Sequence, residues 1–152
     1  IVYTPQMMIF LHESIVGNTF RQVFTDGRPL PKLSEVEPAW LGYSVGHWEG
    51  DTFVAESTGF RDRGWLSARE AWPNSDALKV TERWNRPDFG HANVTVTIDD
   101  PKAYLKPWTN TIPLELLADT ELLDSYCDNQ QSILKTWSAG PPPAEPPSGG
   151  AR

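Results

Sequence analysis

The chain has 152 residues, of which 13 are basic and 20 acidic, so its formal net charge is −7 at pH 7. One hydrophobic core usually serves about 100 to 200 residues, so this length indicates a single domain. Hydrophobic residues make up 39% of the sequence and seven residues are tryptophan, which excludes a fully disordered chain. The acidic charge is opposite to that of a phosphate-binding surface, which argues against nucleic acid and anionic lipid as partners.

The first residue and the single cysteine bear on processing and compartment. Ile1 stands in place of an initiator methionine, which indicates a mature form or a fragment. The longest apolar run, Met7 to Leu11, has five residues, whereas a membrane-spanning helix needs about 18. We expect no membrane span. Cys127 is the only cysteine, so neither a disulfide within these residues nor a thiolate metal cage is expected.

Short runs of alternating apolar and polar residues, separated by turn residues, predict an all-β fold. The predicted strands are Ile1–Thr4, Met7–Glu13, Thr19–Thr25, Leu41–Glu49, Thr52–Thr58, Leu78–Trp84, His91–Asp99, Pro107–Leu116 and Thr120–Cys127. Gly50-Asp51 predicts a two-residue hairpin loop in which Gly50 takes a positive φ. Nine short strands are typical of an antiparallel barrel or a sandwich, and we expect one such domain over residues 1–137.

Three segments read as connections or tails rather than strands. Residues 27–40 contain three prolines and are predicted to form a long connection. Residues 59–76 have no clean period and predict a long loop with one helical turn around Leu66 to Ala71; loops of this length are often functional. Residues 138–152 are predicted to be a disordered tail, since Gly140–Arg152 contains five prolines and three glycines.

Glu82 is the most informative residue, because alternation places it on the same face of its strand as Leu78, Val80 and Trp84. An unpaired buried charge costs several kcal/mol, so one interpretation is a structural ion pair with Arg21 or Arg61. The other is catalytic: Glu82 acts as general acid or base, with Glu56 or His91 as its partner.

Aromatic residues form the second candidate site. Trp40, Tyr43, Trp48, Trp65 and Trp84 are candidates to contact an apolar or aromatic ring, with Trp65 as a lid, although such residues also pack in the core of small barrels. Small residues at 42, 44 and 46 leave one face of a strand hollow. This pattern indicates either a ligand cavity or the close approach of another backbone.

Metal and nucleophile chemistry are not indicated. His12, His47 and His91 are too far apart in sequence to form a local ligand pair, so neither a metal nor another cofactor is expected. No cysteine opens a helix, and the segment 42–46 is not interpreted as a nucleophile elbow, so acyl transfer is not expected.

Several longer motifs carry a family resemblance over residues 18–128. They are Arg21-Gln22-Val23-Phe24-Thr25-Asp26-Gly27-Arg28-Pro29-Leu30-Pro31, Trp40-Leu41-Gly42-Tyr43-Ser44-Val45-Gly46-His47-Trp48-Glu49-Gly50-Asp51-Thr52, Ala77-Leu78-Lys79-Val80-Thr81-Glu82-Arg83, Asp99-Asp100-Pro101-Lys102-Ala103-Tyr104 with Lys106-Pro107-Trp108, and Asp119-Thr120-Glu121-Leu122-Leu123. On these motifs the chain resembles a family of uncharacterised exported proteins of acidobacteria and other soil bacteria.

The resemblance implies a periplasmic or secreted protein with a longer N-terminal part, which carries a further cysteine that can serve as a disulfide partner for Cys127. The chain departs from the family pattern where Trp72-Pro73-Asn74-Ser75 replaces a His-Pro-His-Ser run, and where His47 stands in place of an arginine. The Trp48–Thr52 hairpin is also similar to hairpins of lipocalin-like barrels. That analogy implies an up-and-down barrel of the lipocalin or calycin type, of about eight or nine strands, and says nothing of function.

Three functions follow as hypotheses. The first is a monomeric β-barrel of the cell envelope that binds a small apolar or aromatic molecule through Trp40, Tyr43, Trp48, Trp65, Glu82 and Trp84. The second is a small hydrolase or isomerase that uses Glu82 with Glu56 or His91. The third is a structural or interaction module without a cavity.

Overall fold

The structure is a computed structural model, and it describes residues 1–13, 19–67 and 70–122. The chain divides into two compact units. The first, residues 1–11 and 20–120, contains the body of the sheet; of the second, residues 12–19 and 121–152, only five residues are described. Most of the predicted strand Thr120–Cys127, the cysteine itself and the predicted tail 138–152 lie outside the described residues, and residues 120–122 are not in a strand.

The described residues form ten strands and one turn of 3-10 helix. The strands are β1 Val2–Thr4, β2 Met7–His12, β3 Thr19–Phe24, β4 Tyr43–Glu49, β5 Thr52–Thr58, β6 Trp65–Ser67, β7 Trp72–Pro73, β8 Lys79–Asn85, β9 His91–Asp99 and β10 Trp108–Glu115, and the 3-10 turn is Leu33–Glu35. The prediction of an all-β fold is confirmed.

Eight of the strands form one sheet in the order β1-β2-β3-β4-β5-β8-β9-β10. The sheet curls into a half-barrel, with β1 and β10 at its two edges. Most described neighbours are antiparallel, as predicted, but β3 and β4 are parallel: Val23 pairs with Ser44 and Phe24 with Val45. A parallel pair needs a long crossover, and the proline-containing segment between these strands provides it.

The Gly50-Asp51 turn fixes the register of the β4–β5 hairpin. Gly50 has φ +59°, and the two-residue loop brings Glu49 opposite Thr52 and Trp48 opposite Phe53, as predicted. Since successive side chains alternate between faces, this register puts Trp48 and Phe53 on the same face of the sheet.

The core lies on that same face. Met8, Phe10, Val23, Phe53 and Ala55 form a buried cluster, and Trp84 packs against it. Burying each of the larger side chains contributes about 1.5 to 3 kcal/mol, so the cluster joins four strands by apolar contact.

The hollow face predicted at residues 42, 44 and 46 is filled by neighbouring groups. A Cβ atom on Gly46 would lie 2.5 Å from the ring of Phe53 and 2.8 Å from Val23, so both side chains occupy the space that the glycine leaves. A Cβ atom on Gly42 would lie 2.6 Å from the Thr58 carbonyl oxygen, where another backbone approaches closely. The interpretation as a close approach of another backbone therefore holds at Gly42, whereas at Gly46 neighbouring side chains fill the space.

The predicted helical turn in the long loop is not found in the described part of residues 59–76. Instead Trp65–Ser67 and Trp72–Pro73 pair as a short antiparallel ribbon, β6 and β7. Trp72 meets Trp108 of β10 edge-on, with ring centroids 5.5 Å apart. Aromatic residues favour extended structure, and this contact gives the ribbon a partner in place of a local helix.

Candidate functional site

One end of the core face opens into an apolar cavity of about 170 Å³. Its walls come from six strands or strand ends and include both Trp48 and Trp84, two of the predicted ligand-binding residues. The complete lining is Ile1, Met8, Phe10, Trp48, Asp51, Phe53, Trp84, Asn85, Arg86 and Ala92. Apolar concave sites with a few polar groups at the rim are typical of small-molecule binding sites.

A single row of cross-strand neighbours forms the aromatic wall. Trp48 pairs with Phe53, Phe53 with Trp84, and Trp84 with Val94, so their side chains share one face. The rings of Trp48 and Phe53 are 5.3 Å apart and tilted by 56°. Phe10, from β2, meets Trp84 at 4.9 Å. Rings from β2, β4, β5 and β8 thus line the cavity together.

The wall is only partly covered. Phe53 is 2% exposed whereas its cross-strand neighbour Trp48 is 54% exposed. A large aromatic side chain with half its surface in water has apolar area left to bury, and a ligand ring in the cavity would bury it.

Glu82 lies on the core face, as predicted, and forms an ion pair with Arg21 of β3. The two side chains are only 14% and 12% exposed, for Arg21 and Glu82 respectively. The structural interpretation given above therefore describes Glu82, with Arg21 rather than Arg61 as its partner. Arg61 instead donates to the Pro38 carbonyl oxygen and stands over the ring of Trp40.

The two predicted acid/base partners of Glu82 lie on the other face of the sheet. Glu82 pairs with Ala55, whereas Glu56 pairs with Thr81, so the two carboxylates point to opposite faces. On β9, Glu82 pairs with Val96, which places His91 on the face away from it. His91 is exposed and bonded to Asp88 at 2.9 Å. The structure therefore does not bring Glu82 together with Glu56 or His91, the residues of the predicted acid/base pair.

The remaining predicted aromatic residues lie away from the cavity. Trp40 and Trp65 are 63% and 58% exposed, on the connection before β4 and on β6. Tyr43 stacks on Phe24 with centroids 5.2 Å apart and accepts a hydrogen bond from Arg28 at 3.0 Å, on the opposite face of β4 from Trp48. Tyr43 lines a separate cavity of about 370 Å³ beside β3.

Ser44 is the central residue of a Gly-x-Ser-x-Gly string, but its position excludes a nucleophile elbow. An elbow needs a sharp strand-to-helix turn that exposes the serine. Ser44 lies inside β4, is 1% exposed, and shares a hydrogen bond of 2.7 Å with the equally buried Ser57. This pair therefore ties β4 to β5.

Phe10, Phe53 and Ala92 are cavity residues that the sequence analysis did not single out. Phe53 could have been found, since a two-residue Gly50-Asp51 loop places it directly opposite Trp48. Ala92 follows β8 through the short turn of residues 86–90, whereas Phe10 of β2 reaches Trp84 of β8 from a distant part of the chain.

Comparison of the chain with protein-family models, with curated proteins and with solved structures gave no match. Within residues 1–13, 19–67 and 70–122, no three histidine, cysteine, aspartate or glutamate side chains are grouped as metal ligands would be. In the same residues there is no helix with the length and apolarity needed to cross a bilayer.

Proposed function

We propose that the protein binds a small apolar or aromatic molecule in the cavity lined by Trp48, Phe53 and Trp84. The observation that carries the proposal is the cavity itself, which is apolar, open at one end and walled by aromatic rings. Its volume of about 170 Å³ is close to that of an engineered apolar cavity of about 150 Å³ that binds benzene. A ligand part the size of one aromatic ring fits this space.

Binding would follow the manner of lipocalin-like barrels, with the apolar part of the ligand inside the sheet and its polar part at the mouth. Partial exposure of Trp48 supports this, since a bound ring would remove apolar area from water at about 25 cal/mol per Å². The other predicted aromatic residues, Trp40, Tyr43 and Trp65, take no part in this site.

The test is a titration with toluene followed by ¹H–¹⁵N NMR, which resolves tryptophan indole N–H groups individually. We expect the resonances of Trp48 and Trp84 to move and that of Trp40 to stay, because Trp40 lies outside the cavity. Replacing each of these residues by Phe assigns the signals.

Ala92→Leu is the matched blocking variant, since the added side chain would occupy the cavity from its wall. Toluene should then no longer shift the Trp84 resonance, while Ala103→Leu, outside the cavity, should leave binding intact. If toluene near its solubility limit moves neither cavity tryptophan, or moves them equally after Ala92→Leu, the proposal is wrong and a structural or interaction module takes its place.

We also propose that the protein acts outside the cytoplasm, in the periplasm or as a secreted protein, and as a monomer. The family resemblance supports the location. Fractionation of cells that express the complete gene should place the protein in the periplasmic or culture fraction, and light scattering should give the 17.1 kDa mass of one chain of this sequence. Recovery in the cytoplasmic fraction would contradict the proposed location, and a doubled mass would contradict the proposed monomer.

A further inference from the structure

Two oppositely charged side chains, those of Asp51 and Arg86, line the cavity. Thr52 and Asn85 are cross-strand partners at the ends of β5 and β8. Asp51 directly precedes Thr52 in the β4–β5 turn and Arg86 directly follows Asn85, so both lie at the same end of this strand pair. One anion and one cation therefore flank its opening.

These two charges do not neutralise each other. In the described part of the chain, no nitrogen of Arg86 lies within 4.0 Å of a carboxylate oxygen, and Asp51 has no ion pair. Arg86 is instead held by backbone: its Nε donates to the Asp88 carbonyl oxygen at 3.1 Å and its Nη2 to the Phe89 carbonyl oxygen at 2.5 Å. The Arg86 guanidinium is thus positioned by neutral carbonyl oxygens, and its positive charge can bind an anionic group of a ligand.

The chemistry of a matching ligand follows from the two mouth charges and the apolar interior. The carboxylate of a simple aromatic acid would be attracted by Arg86 but repelled by Asp51. The ammonium group of a simple aromatic amine would be attracted by Asp51 but repelled by Arg86. A molecule with a ring and adjacent carboxylate and ammonium groups satisfies all three features at once. The two charges lie on one carbon atom in an α-amino acid, and the ring is its side chain.

We infer that the cavity binds a free aromatic α-amino acid, with its ring against Trp48 and Trp84, its carboxylate on Arg86 and its ammonium on Asp51. The inference rests on the proposed function, which supplies the ring site. A peptide end does not fit equally well, since an N-terminal residue lacks the carboxylate and a C-terminal residue lacks the ammonium group. Carboxylate on guanidinium is the charge-assisted contact that gives such a site orientation.

Four ligands separate the contributions in one calorimetric or NMR series: L-phenylalanine, 3-phenylpropanoate, 2-phenylethylamine and toluene. The second lacks the ammonium group, the third the carboxylate, and the fourth both. We expect L-phenylalanine to bind about two- to fivefold more tightly than either singly charged analogue, the size of effect given by one exposed ion pair. Raising the salt concentration should narrow this difference, because exposed charges are screened.

Arg86→Gln and Asp51→Asn are the site variants, and each should weaken L-phenylalanine about two- to fivefold while leaving toluene unchanged. Arg83→Gln is the control, since Arg83 is an exposed arginine of the same strand that points to the other face and pairs with Glu49. Unchanged toluene binding shows that each variant is folded with its ring site intact.

The outcomes distinguish the inference from the proposed function. If toluene binds and L-phenylalanine binds no better than 3-phenylpropanoate or 2-phenylethylamine, the amino-acid inference is overturned and the apolar site stands. If none of the four ligands binds, both fail. Equal loss of L-phenylalanine binding in Arg83→Gln and Arg86→Gln would also overturn the inference, because the effect would then reflect general charge.

Discussion

Arg21 and Glu82 form an ion pair across the core face of the half-barrel, although their strands, β3 and β8, are separated by β4 and β5. In the cross-strand row of Glu82 the intervening residues are Ala55 and Gly46, which have the smallest side chains of the core face. The ion pair therefore joins two strands that are not neighbours in the sheet.

Glu82→Gln should destabilise the protein strongly, because it leaves the Arg21 guanidinium without its anion in a site that is 14% exposed. We expect a loss of about 3 kcal/mol in the free energy of unfolding, measured by urea denaturation. Glu49→Gln is the matched control, since Glu49 pairs with Arg83 at the surface, where solvent screens the two charges and the loss of stability should be small. Equal effects of the two substitutions would show that the Arg21 pair is not desolvated.

Removing both partners tests the same point in the other direction. Arg21→Met combined with Glu82→Leu leaves no buried charge, so the double variant should be more stable than Glu82→Gln alone. If the double variant has a lower free energy of unfolding than Glu82→Gln, the attraction within the ion pair exceeds the cost of desolvating its two charges.

Asp100 organises the turn that joins β9 to β10. Its carboxylate is 1% exposed and accepts hydrogen bonds from the Ser75 backbone nitrogen at 2.7 Å and from the Ser75 hydroxyl at 2.6 Å. It also accepts from the backbone nitrogens of Lys102 and Ala103. Burial alone would raise the pKa of Asp100, but these four donors outweigh it and hold the pKa below its ordinary value.

Asp100 should therefore make stability depend on pH in the acid range. Because its pKa is lower in the folded state, its contribution is full above the unfolded pKa of about 3.9 and is lost as pH falls through the folded value. Asp100→Ala should cost about 1.5 to 3 kcal/mol at pH 7 and much less at pH 2. The difference from wild type is measured by urea denaturation at several pH values, with the exposed Asp119→Asn as control. A difference that does not shrink toward low pH would contradict this role.

The strands of the sheet were predictable because each has a local signal. Alternation marks β4, β5, β8 and β9, and the Gly50-Asp51 loop fixes which residues of β4 and β5 face each other. The face of Glu82 follows from alternation alone. The face that each side chain takes along one strand, and the register across one short turn, both follow from the local sequence.

The composition of the site was not predictable to the same degree, because it depends on pairing between distant segments. Glu56 and Glu82 each lie on a correctly predicted strand, yet the register of β5 against β8 puts them on opposite faces. About 20 residues without a short turn separate these strands, so no local rule sets that register. The same holds for the choice of Arg21 over Arg61 and for the parallel pairing of β3 with β4.

Gly46→Ala tests whether the packing over β4 is as tight as the structure indicates. The new Cβ atom would lie 2.5 Å from the ring of Phe53 and 2.8 Å from Val23, both of which are buried. We expect a loss of about 1 to 3 kcal/mol in the free energy of unfolding, from overpacking. Ser44→Ala on the same strand removes only a hydrogen bond to Ser57 and should cost about 1 kcal/mol. Adding Phe53→Leu to Gly46→Ala should recover part of the loss, and no recovery would argue against this clash.

Pro113 lies in β10, the outermost strand of the described sheet, and its backbone nitrogen points away from the neighbouring strand β9. Leu116 donates its backbone N–H to Gly90 at 2.8 Å, and in an antiparallel pair inward and outward positions alternate, so the backbone nitrogen of residue 113 points away from β9, to a side where the described residues form no further strand. Proline has no N–H to offer there, which interrupts the row of donors that another strand would need.

Pro113→Thr should restore the missing donor and promote edge-to-edge association between copies, helped by the exposed side chains of Ile112 and Leu114 on the same strand. We expect dimers or larger species to increase with concentration in sedimentation velocity, while the wild type stays at one mass. Pro107→Thr, which lies just before the strand, is the control and should behave as wild type. If Pro113→Thr stays monomeric at concentrations of hundreds of micromolar, or if Pro107→Thr associates equally, the missing N–H of Pro113 is not what keeps this edge from pairing.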